Sequence, residues 1–513
     1  MKPRGAKSGC SFRAVVSLSG NSSCAGLFGV RRTEFGTGFR CPTKTTAGFA
    51  EKEVRVESTA VAIPTGAPGQ PHLKRVLSLW DLVYFGVILT SPIAAVPLFG
   101  EGQVLSHGHT VLTLLLAMVA MSVTAVSFGR MANVYPSAGS VYTYISRGLN
   151  PHVGFVIGWA MFLEYLFQPI QNALYAVLAI QRLAPRIPFW FLAALTVLFI
   201  TLLTVQGIKF TARTNELLLG FMMLVTTIFL VEAFRYVVLH HHLTGLFSTA
   251  PFYNHETFTL RALAAGTSLA ALVFIGFDGV SILAEEVKNP KRNVLLATVL
   301  VVVFTGLFSG LQVYLAQRVW PDYTTYQNPE TAFMDVARLA SGALLFGAYG
   351  VMLIVSSLAC GLAGHVGAAR LLYSMGRDDV LPRRIFGHLS PTKSNPVYNI
   401  WIVGVLAYVG VLLIPWEHAA EVVTFGALLA FMGVNFSAFQ HFWLAPEAVG
   451  RRTFFVDAFV PGFGFVFCFL LLVSLQTWTM YAGCGWLAIG VMYVAWKTRG
   501  FRTRPTLMDF SES

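Results

Sequence analysis

One apolar stretch carries an acid between two glycines and decides the fold: Val273-Phe274-Ile275-Gly276-Phe277-Asp278-Gly279. The glycines weaken a regular helix, and the stretch places the carboxylate of Asp278 at the depth of a membrane interior. A charged side chain there costs roughly 2.5–3.5 kcal/mol on insertion scales, so it is usually retained for an ion, proton or substrate path. Shortly afterwards the chain turns strongly polar, over Glu285-Glu286-Val287-Lys288-Asn289-Pro290-Lys291-Arg292-Asn293. The stretch therefore predicts a broken transmembrane helix that leads into a charged cytoplasmic loop.

The composition is that of a membrane protein. Hydrophobic residues make up 55% of the 513 positions, charged residues make up 12%, and the mean hydropathy is +0.64. A helix needs about 20 apolar residues to cross a bilayer, and it satisfies its backbone groups internally. The long apolar runs differ from the short alternating strands of a membrane barrel. The sequence predicts an all-α integral membrane protein with twelve transmembrane helices, at approximately 79–100, 109–134, 153–181, 188–206, 215–239, 262–285, 294–317, 343–372, 397–414, 419–444, 456–476 and 479–497.

The N-terminal region differs from the rest in charge and composition. Its first 50 positions contain eight basic residues and one acid, and serine, glycine and threonine are frequent without a sustained apolar period. Such a segment buries too little apolar surface to fold alone, so we expect residues 1–72 to form a disordered basic tail. A cytoplasmic arm, an organellar transit peptide and an over-extended gene start all remain open for this tail.

The distribution of lysine and arginine predicts the orientation in the membrane. Connecting segments on one side of the twelve helices carry most of the basic residues, among them Lys288, Lys291, Arg292, Arg383 and Arg384. By the positive-inside rule both termini are cytoplasmic. A multi-pass protein of the cell membrane, surrounded by lipid, is expected, with a twelve-helix domain over 73–497 and a cytoplasmic C-terminal tail over 498–513. The net charge of +12 is accounted for by this topology, so no nucleic-acid partner is predicted.

The first predicted helix is interrupted as well as the sixth. Pro92 removes a backbone donor and clashes with the preceding turn, so the helix should unwind near Thr90. The sixth is interrupted by Gly276 and Gly279 around Asp278. Breaks at positions one and six are the corresponding first helices of two five-helix halves, which predicts a five-plus-five inverted repeat. In such transporters the two breaks form a binding site near the membrane midplane.

This geometry nominates the site residues. The predicted substrate-binding set lies at the two breaks, and Phe274 and Phe277 are expected to stack over an apolar or cationic part of the substrate. Glu164 is a second acid inside an apolar span, so Asp278 and Glu164 are candidates for proton coupling. The substrate-binding set comprises Thr90, Ser91, Pro92, Phe274, Gly276, Phe277 and Asp278.

Motifs of soluble enzymes are missing from the sequence. It has no GxSxG elbow, no phosphate-binding GxxxxGK[ST] loop, no HExxH and no dinucleotide fingerprint. The six cysteines form no CxxC pair, so a zinc site is not expected. The chain is predicted to be neither an enzyme nor an ATP-driven pump and to need no cofactor. Transport must then draw on an ion gradient or on exchange.

Three motifs resemble the amino acid, polyamine and organocation permease superfamily, from about Leu73 to the C terminus. They are Phe274–Asp278 with the charged loop that follows, Tyr135–Tyr144 (YPSAGSVYTY) and Ala369–Asp378 (ARLLYSMGRD). The resemblance implies twelve helices, alternating access and import usually driven by protons. Within the superfamily the chain is most similar to the bacterial putrescine importer branch, through Asn150–Phe155 (NPHVGF), Glu164–Pro169 (EYLFQP) and Asn435–Trp443 (NFSAFQHFW).

Two departures from the family pattern concern the substrate. The glycine-rich break of amino acid permeases, whose backbone amides hold a substrate carboxylate, is replaced here by Thr90-Ser91-Pro92. Fewer free amides suit a substrate without a carboxylate, such as an amine. The importer branch also carries an aspartate further along the first helix, where this chain has Val96–Phe99 (VPLF). Its loss removes one counterion for a dication.

The sequence therefore predicts a secondary transporter that imports amino acids or small polyamines by alternating access, with protons as the coupling ion. A substrate exchanger is an alternative. A sensor that keeps the transporter fold and signals through the basic tail is a further alternative. A channel is another, but paired breaks around a midplane acid fit an occluded site better than a continuous pore. The oligomeric state is left open.

Overall fold

The protein is described from a computed structural model, over residues 77–135, 140–207, 212–242, 246–377, 381–390, 395–445 and 453–502. The predicted tail over 1–72 and positions 503–513 lie outside these residues. Every regular element among the described residues is helical, which confirms the predicted all-α class. In chain order the α-helices are α1 (Leu79–Thr90), α2 (Phe99–Leu105), α3 (Thr110–Val134), α4 (Ser140–Gly148), α5 (Pro151–Leu183), α6 (Phe189–Gln206), α7 (Ala212–His241), α8 (Leu260–Ala270), α9 (Pro290–Val319), α10 (Ala332–Ser341), α11 (Ala343–Arg377), α12 (Arg383–Phe386), α13 (Val397–Leu413), α14 (Trp416–Phe439), α15 (Val460–Val473) and α16 (Thr477–Lys497).

The helices coincide with the predicted spans in position. Among the described residues, ten helical segments are long and apolar enough to cross a membrane, and α1 and α13 are shorter apolar helices. Helical structure thus lies at each of the twelve predicted positions, while the count of twelve crossings and the inverted repeat stay predictions. Three short helices were not expected, namely α4, α10 and α12. They are short connecting helices rather than apolar runs of membrane-spanning length.

The first membrane segment is split into α1 and α2 by an irregular stretch. Helix α1 ends at Thr90, and Ser91 takes a φ of +61°, a rare conformation for a residue with a Cβ. Pro92 cannot continue the hydrogen-bond ladder, and turns follow until α2 begins at Phe99. The break lies where the proline predicts it, but the helix that resumes at Phe99 runs to Leu105, beyond the predicted end of the segment at position 100.

Helix α9 stabilises this break from the side. The amide of Gln312 donates to the carbonyl of Pro92 at 2.8 Å, and the hydroxyls of Thr305 and Thr90 lie 3.0 Å apart. Residues 305 and 312 are two turns apart and therefore share one face of α9. Two polar groups on that face thus fix both sides of Ser91.

The sixth membrane segment breaks at Ile275 and Gly276. Helix α8 continues as a 3₁₀ turn over Ala271–Phe274, and a second 3₁₀ segment runs from Phe277 to Glu286. Gly276 between them has a φ of +111°, a region that glycine enters freely. Gly279 was expected to share the interruption, but it lies inside the second segment, where an added Cβ would overlap Leu89 Cδ1 at 2.4 Å. Its role is therefore close packing against α1.

The two broken segments are also joined where α1 begins. Leu77 and Val287 form an isolated parallel bridge, and the N–H of Lys288 donates to the carbonyl of Leu77 at 2.9 Å. The start of α1 and the end of the sixth segment are thus held together by their backbones.

Helix α5 lies at the centre of the helical packing. It contacts α11 and α14 along much of its length, and it also contacts α16. Trp159 on α5 and Trp486 on α16 exchange hydrogen bonds, each indole N–H donating to the other residue's carbonyl at 3.0 and 2.8 Å. The stacked rings, 4.9 Å apart, fix α16 against α5.

Near the predicted cytoplasmic ends of three helices, a buried ion pair joins α3 to the start of the α15 segment. Arg130 pairs with Asp457 and lies over the ring of Phe442 at 3.8 Å. The second carboxylate oxygen of Asp457 accepts the N–H of Thr453 at 2.6 Å. Asp457 is 5% exposed, so its charge depends on these partners.

Candidate functional site

A cavity of about 370 Å³ lies between the two breaks. We call it the central cavity. It is enclosed by the broken first and sixth segments and by α5, α7 and α11. Its walls are formed by Ile88, Leu89, Ser91, Pro92, Glu164, Tyr165, Gln168, Leu218, Leu219, Met222, Ile275, Gly276, Asp278, Gly279, Ser356, Ala359, Cys360 and Ala363.

Two acids face this cavity. Asp278 follows the sixth-segment break, and Glu164 lies on α5; both side chains are half-buried. They are close enough for the charge of Asp278 to act on Glu164. Among the described residues no lysine, arginine or histidine lines the cavity, and neither acid is in an ion pair. The central cavity therefore has an uncompensated negative potential when both acids are ionised.

The break itself solvates Asp278. Backbone N–H groups of Gly276, Asp278 and Gly279 lie close enough to its carboxylate to favour the charged form. The turn is closed by the N–H of Gly279, which donates to the carbonyl of Gly276 at 3.1 Å. Asp278 thus lies beside polar backbone at the break and lines the cavity.

Glu164 is positioned differently. It lies against Gly426 of α14, where an added Cβ would be 2.8 Å from the Cβ of Glu164. Tyr165 is its neighbour in the chain and also lines the cavity. The glycine thus lets α14 approach α5 at this level, and the carboxylate faces the cavity with no basic side chain beside it.

A second, smaller cavity of about 140 Å³ lies on the α2 side of the break. We call it the aromatic cavity, after Tyr175 and Trp416 in its wall. The two cavities share six lining residues, which therefore separate them: Leu89, Ser91, Gln168, Ile275, Ser356 and Cys360. The hydroxyl of Ser91 is buried and has no hydrogen-bond partner among the described groups. A polar group in this state is available to a ligand.

Five of the seven predicted binding residues lie at a cavity wall. Ser91, Pro92, Gly276 and Asp278 line the central cavity, and Thr90 lines the aromatic one. Thr90 also donates to the carbonyl of Gly86 at 3.1 Å, so its hydroxyl is already used within the protein.

Phe274 and Phe277, which are predicted to stack over the substrate, lie away from both cavities. Both are 0% exposed and line neither cavity. Phe277 packs against Phe128 and Phe431, with ring centroids 5.3 and 5.1 Å away. Beyond the break the 3₁₀ turn directs Asp278 to the cavity and the preceding phenylalanine to the core. In this conformation the two rings belong to the core behind the break.

Sequence reasoning missed the polar face of α5. Glu164, Gln168, Asn172 and Tyr175 are spaced by four, four and three residues, and all line one of the two cavities. This spacing puts them on one face of a helix. The same periodicity was visible in the sequence and would have extended the site beyond Glu164. Ser356 and Cys360, four positions apart on α11, show the same spacing and line both cavities.

A membrane protein with two interrupted helices whose breaks meet at an enclosed acidic cavity is a transporter of the broken-helix class. A family model described as amino acid permease matches residues 77–494. The chain therefore belongs to the amino acid permease family, and it is not an enzyme.

Relatives and solved structures agree with this membership. The low-affinity putrescine importer PlaP of Escherichia coli (strain K12) is 32% identical over 84% of this chain and 95% of its own length. The branched-chain amino acid permease BcaP of Bacillus subtilis (strain 168) is 26% identical over 83% and 93%. A manganese transporter of Eremococcus coleocola has a similar fold, with a TM-score of 0.52 at 12% identity over 84% of this chain and 97% of that one. This last likeness concerns the fold alone.

Proposed function

We propose that this protein is a secondary transporter that imports a small organic amine, with putrescine as the first candidate. The observation that carries the proposal is the pair of acids, Asp278 and Glu164, in a cavity without a basic lining residue. A diamine buried in a membrane protein needs compensating carboxylates, because unpaired buried charge is very costly. The similarity to a putrescine importer supports this substrate class.

The same two acids provide a route to proton coupling. An inward proton gradient drives import when the amine and the proton are carried together, one acid holding an ammonium group while the other takes a proton. Both then enter from the outer side and leave together on the inner side. Asp278, at the break, is the principal amine ligand, and Glu164 takes the proton.

Alternating access follows from the two breaks. The irregular stretch between α1 and α2 and the turn at Gly276 allow each half-helix to tilt without bending a continuous helix. The central cavity would then open to one side at a time. In the proposed setting the protein spans the cell membrane many times, with both termini in the cytoplasm.

A second candidate substrate is a neutral branched amino acid. The wall of the central cavity that α7 forms is apolar, through Leu218, Leu219 and Met222. The unpartnered hydroxyl of Ser91 would donate to the substrate carboxylate, and one acid would hold its amino group. BcaP of Bacillus subtilis, a branched-chain amino acid permease, is similar over most of the chain.

The test is uptake by the purified full-length protein in liposomes with an inward proton gradient. Labelled putrescine is compared with labelled neutral and acidic amino acids, in the wild type and in Asp278→Asn, Glu164→Gln and the control Glu232→Gln. Glu232 is paired with exposed Arg235 on α7 and lines neither cavity. We expect gradient-dependent putrescine accumulation that Asp278→Asn abolishes, that Glu164→Gln lowers about tenfold, and that Glu232→Gln leaves unchanged.

Three results would change the conclusion. Uptake of amino acids alone would replace the amine by the second candidate. Unchanged accumulation in Asp278→Asn would remove the proposed role of that acid. Uptake that needs substrate inside the liposomes, and no proton gradient, would identify an exchanger.

A further inference from the structure

Three acids from distant parts of the chain lie on segments that adjoin the wall of the aromatic cavity. Glu101 lies on α2, Glu330 in the short turn Pro329–Thr331, and Glu417 at the start of α14. The turn packs tightly against α2, since a Cβ added to Gly100 would lie 2.0 Å from the carbonyl oxygen of Pro329. The turn also contacts α5. We call the three acids the acidic triplet.

The triplet has little compensating charge. The charges of Glu417 and Glu330 both act on Glu101, which is 7% exposed and takes no part in an ion pair among the described residues. Among the described ion pairs one involves the triplet, between His418 Nδ1 and Glu417 at 4.0 Å. Natural folds avoid like charges that burial brings together unless something else neutralises them.

An independent observation points to a ligand at the same place. Tyr175 and Trp416 line the aromatic cavity, and each is only 3% exposed. The Tyr175 hydroxyl and the Trp416 indole N–H have no hydrogen-bond partner in the described part of the chain. Tyr175 is also close enough to Glu330 to be influenced by its charge. Two buried residues with unpartnered polar groups therefore line the cavity, and Trp416 is the chain neighbour of Glu417.

The chemistry of this place fits an ammonium group better than a metal ion. The described residues contain no group of three carboxylate, histidine or cysteine side chains arranged to hold a metal. The rings of Tyr175 and Trp416, 5.6 Å apart, offer aromatic faces, and a phenol oxygen accepts a hydrogen bond from an amine. Carboxylates beside aromatic faces are the usual surroundings of an alkylammonium ion.

We propose that the acidic triplet and the aromatic cavity form a second amine site, which captures the substrate before it passes Ser91 into the central cavity. In the predicted topology all three acids lie in segments on the outer side, opposite to the bridge of Leu77 and Val287, and an importer takes its substrate from that side. The proposal rests on the amine function proposed above.

Equilibrium binding and uptake of labelled putrescine by the full-length protein test the proposal. Glu330→Gln and Glu417→Gln are combined in a double variant, because both side chains are half-buried and glutamine has the same shape as glutamate. Buried Glu101 is left in place. The matched control is Glu256→Gln, an exposed acid in the loop before α8. The conservative Tyr175→Phe removes only the unpartnered hydroxyl.

We expect two bound putrescine molecules per chain in the wild type and one in the double variant. The KM for putrescine should rise about tenfold in the double variant and about threefold in Tyr175→Phe, with the maximal rate retained. Asp278→Asn should still bind one putrescine although it no longer accumulates it. Glu256→Gln should match the wild type.

The failures are distinguishable. A wild type that accumulates putrescine but binds one molecule per chain, with KM unchanged in the double variant, would overturn the second site and leave the proposed function standing. A wild type that neither binds nor accumulates putrescine would overturn both.

Discussion

Gly276 lies directly against the backbone of Leu89. A Cβ built on Gly276 would be 2.9 Å from the carbonyl oxygen of Leu89, which is closer than real Cβ atoms approach. Leu89 is the penultimate residue of α1, and Gly276 is the turning point of the sixth segment. The two breaks are therefore in contact with each other, and the central cavity exists because a residue without a side chain stands at that contact.

This contact makes a first prediction. Gly276→Ala would place a methyl group against Leu89 and would force an alanine to a φ of +111°. Such strain costs about 1–3 kcal/mol, so we expect a lower melting temperature in detergent and loss of putrescine uptake. The control is Gly220→Ala on α7, where an added Cβ meets nothing within 4 Å. Equal behaviour of the two alanine variants would show that the contact does not matter.

The polar face of α9 makes a second prediction. Gln312→Leu and Thr305→Val each remove one hydrogen bond to the first-segment break, worth about 1 kcal/mol, which corresponds to roughly fivefold in an equilibrium constant. We expect the KM for uptake to rise by about that factor in each variant. Thr298→Val is the control, since the hydroxyl of Thr298 bonds only the carbonyl of Val294 within α9. Variants with an unchanged KM would mean that Ser91 is positioned without α9.

Cys360 offers a third prediction because it separates the two cavities. A chain with Cys10, Cys24, Cys41 and Cys484 replaced by serine keeps Cys360 and buried Cys468. We expect N-ethylmaleimide to block uptake in this chain and saturating putrescine to slow the labelling several-fold. Cys360→Ala in the same background should be insensitive to the reagent. Labelling at the same rate with and without putrescine would place the substrate elsewhere.

The buried ion pair makes a fourth prediction. Asp457→Asn would leave Arg130 without its carboxylate in a largely buried position, and breaking such a pair costs about 3–5 kcal/mol. We expect a clearly lower melting temperature, partly restored when Arg130→Gln removes the second charge. Glu232→Gln at the exposed pair with Arg235 should change stability by less than about 1 kcal/mol. Similar effects at the two pairs would contradict the assignment of Arg130 and Asp457 as a structural unit.

The long apolar helices and the position of the first break could be predicted from the sequence. Hydropathy predicts a membrane helix because lipid offers the backbone N–H and C=O groups no hydrogen-bond partner. Pro92 removes a backbone donor at a defined position. Asp278 and Glu164 could be nominated because an acid at membrane depth is costly. Each of these inferences depends on a local property of the chain.

The directions of side chains around the second break could not be predicted. Phe274 and Phe277 flank Gly276 in the sequence, but the turn at that glycine and the rings of Phe128 and Phe431 decide that they point into the core. The acidic triplet is a stronger case, since positions 101, 330 and 417 are brought together only by tertiary packing. The periodicity of a single helix does not predict which residues of other segments will pack beside it.

The bridge between Leu77 and Val287 has a consequence for the kinetics of transport. Since the N–H of Lys288 is bonded to the carbonyl of Leu77, a swing of α1 carries the end of the sixth segment with it. We expect release of substrate on that side to have a single activation barrier in place of two independent ones. A thermal fluctuation of one half-helix alone would then leave the cavity sealed.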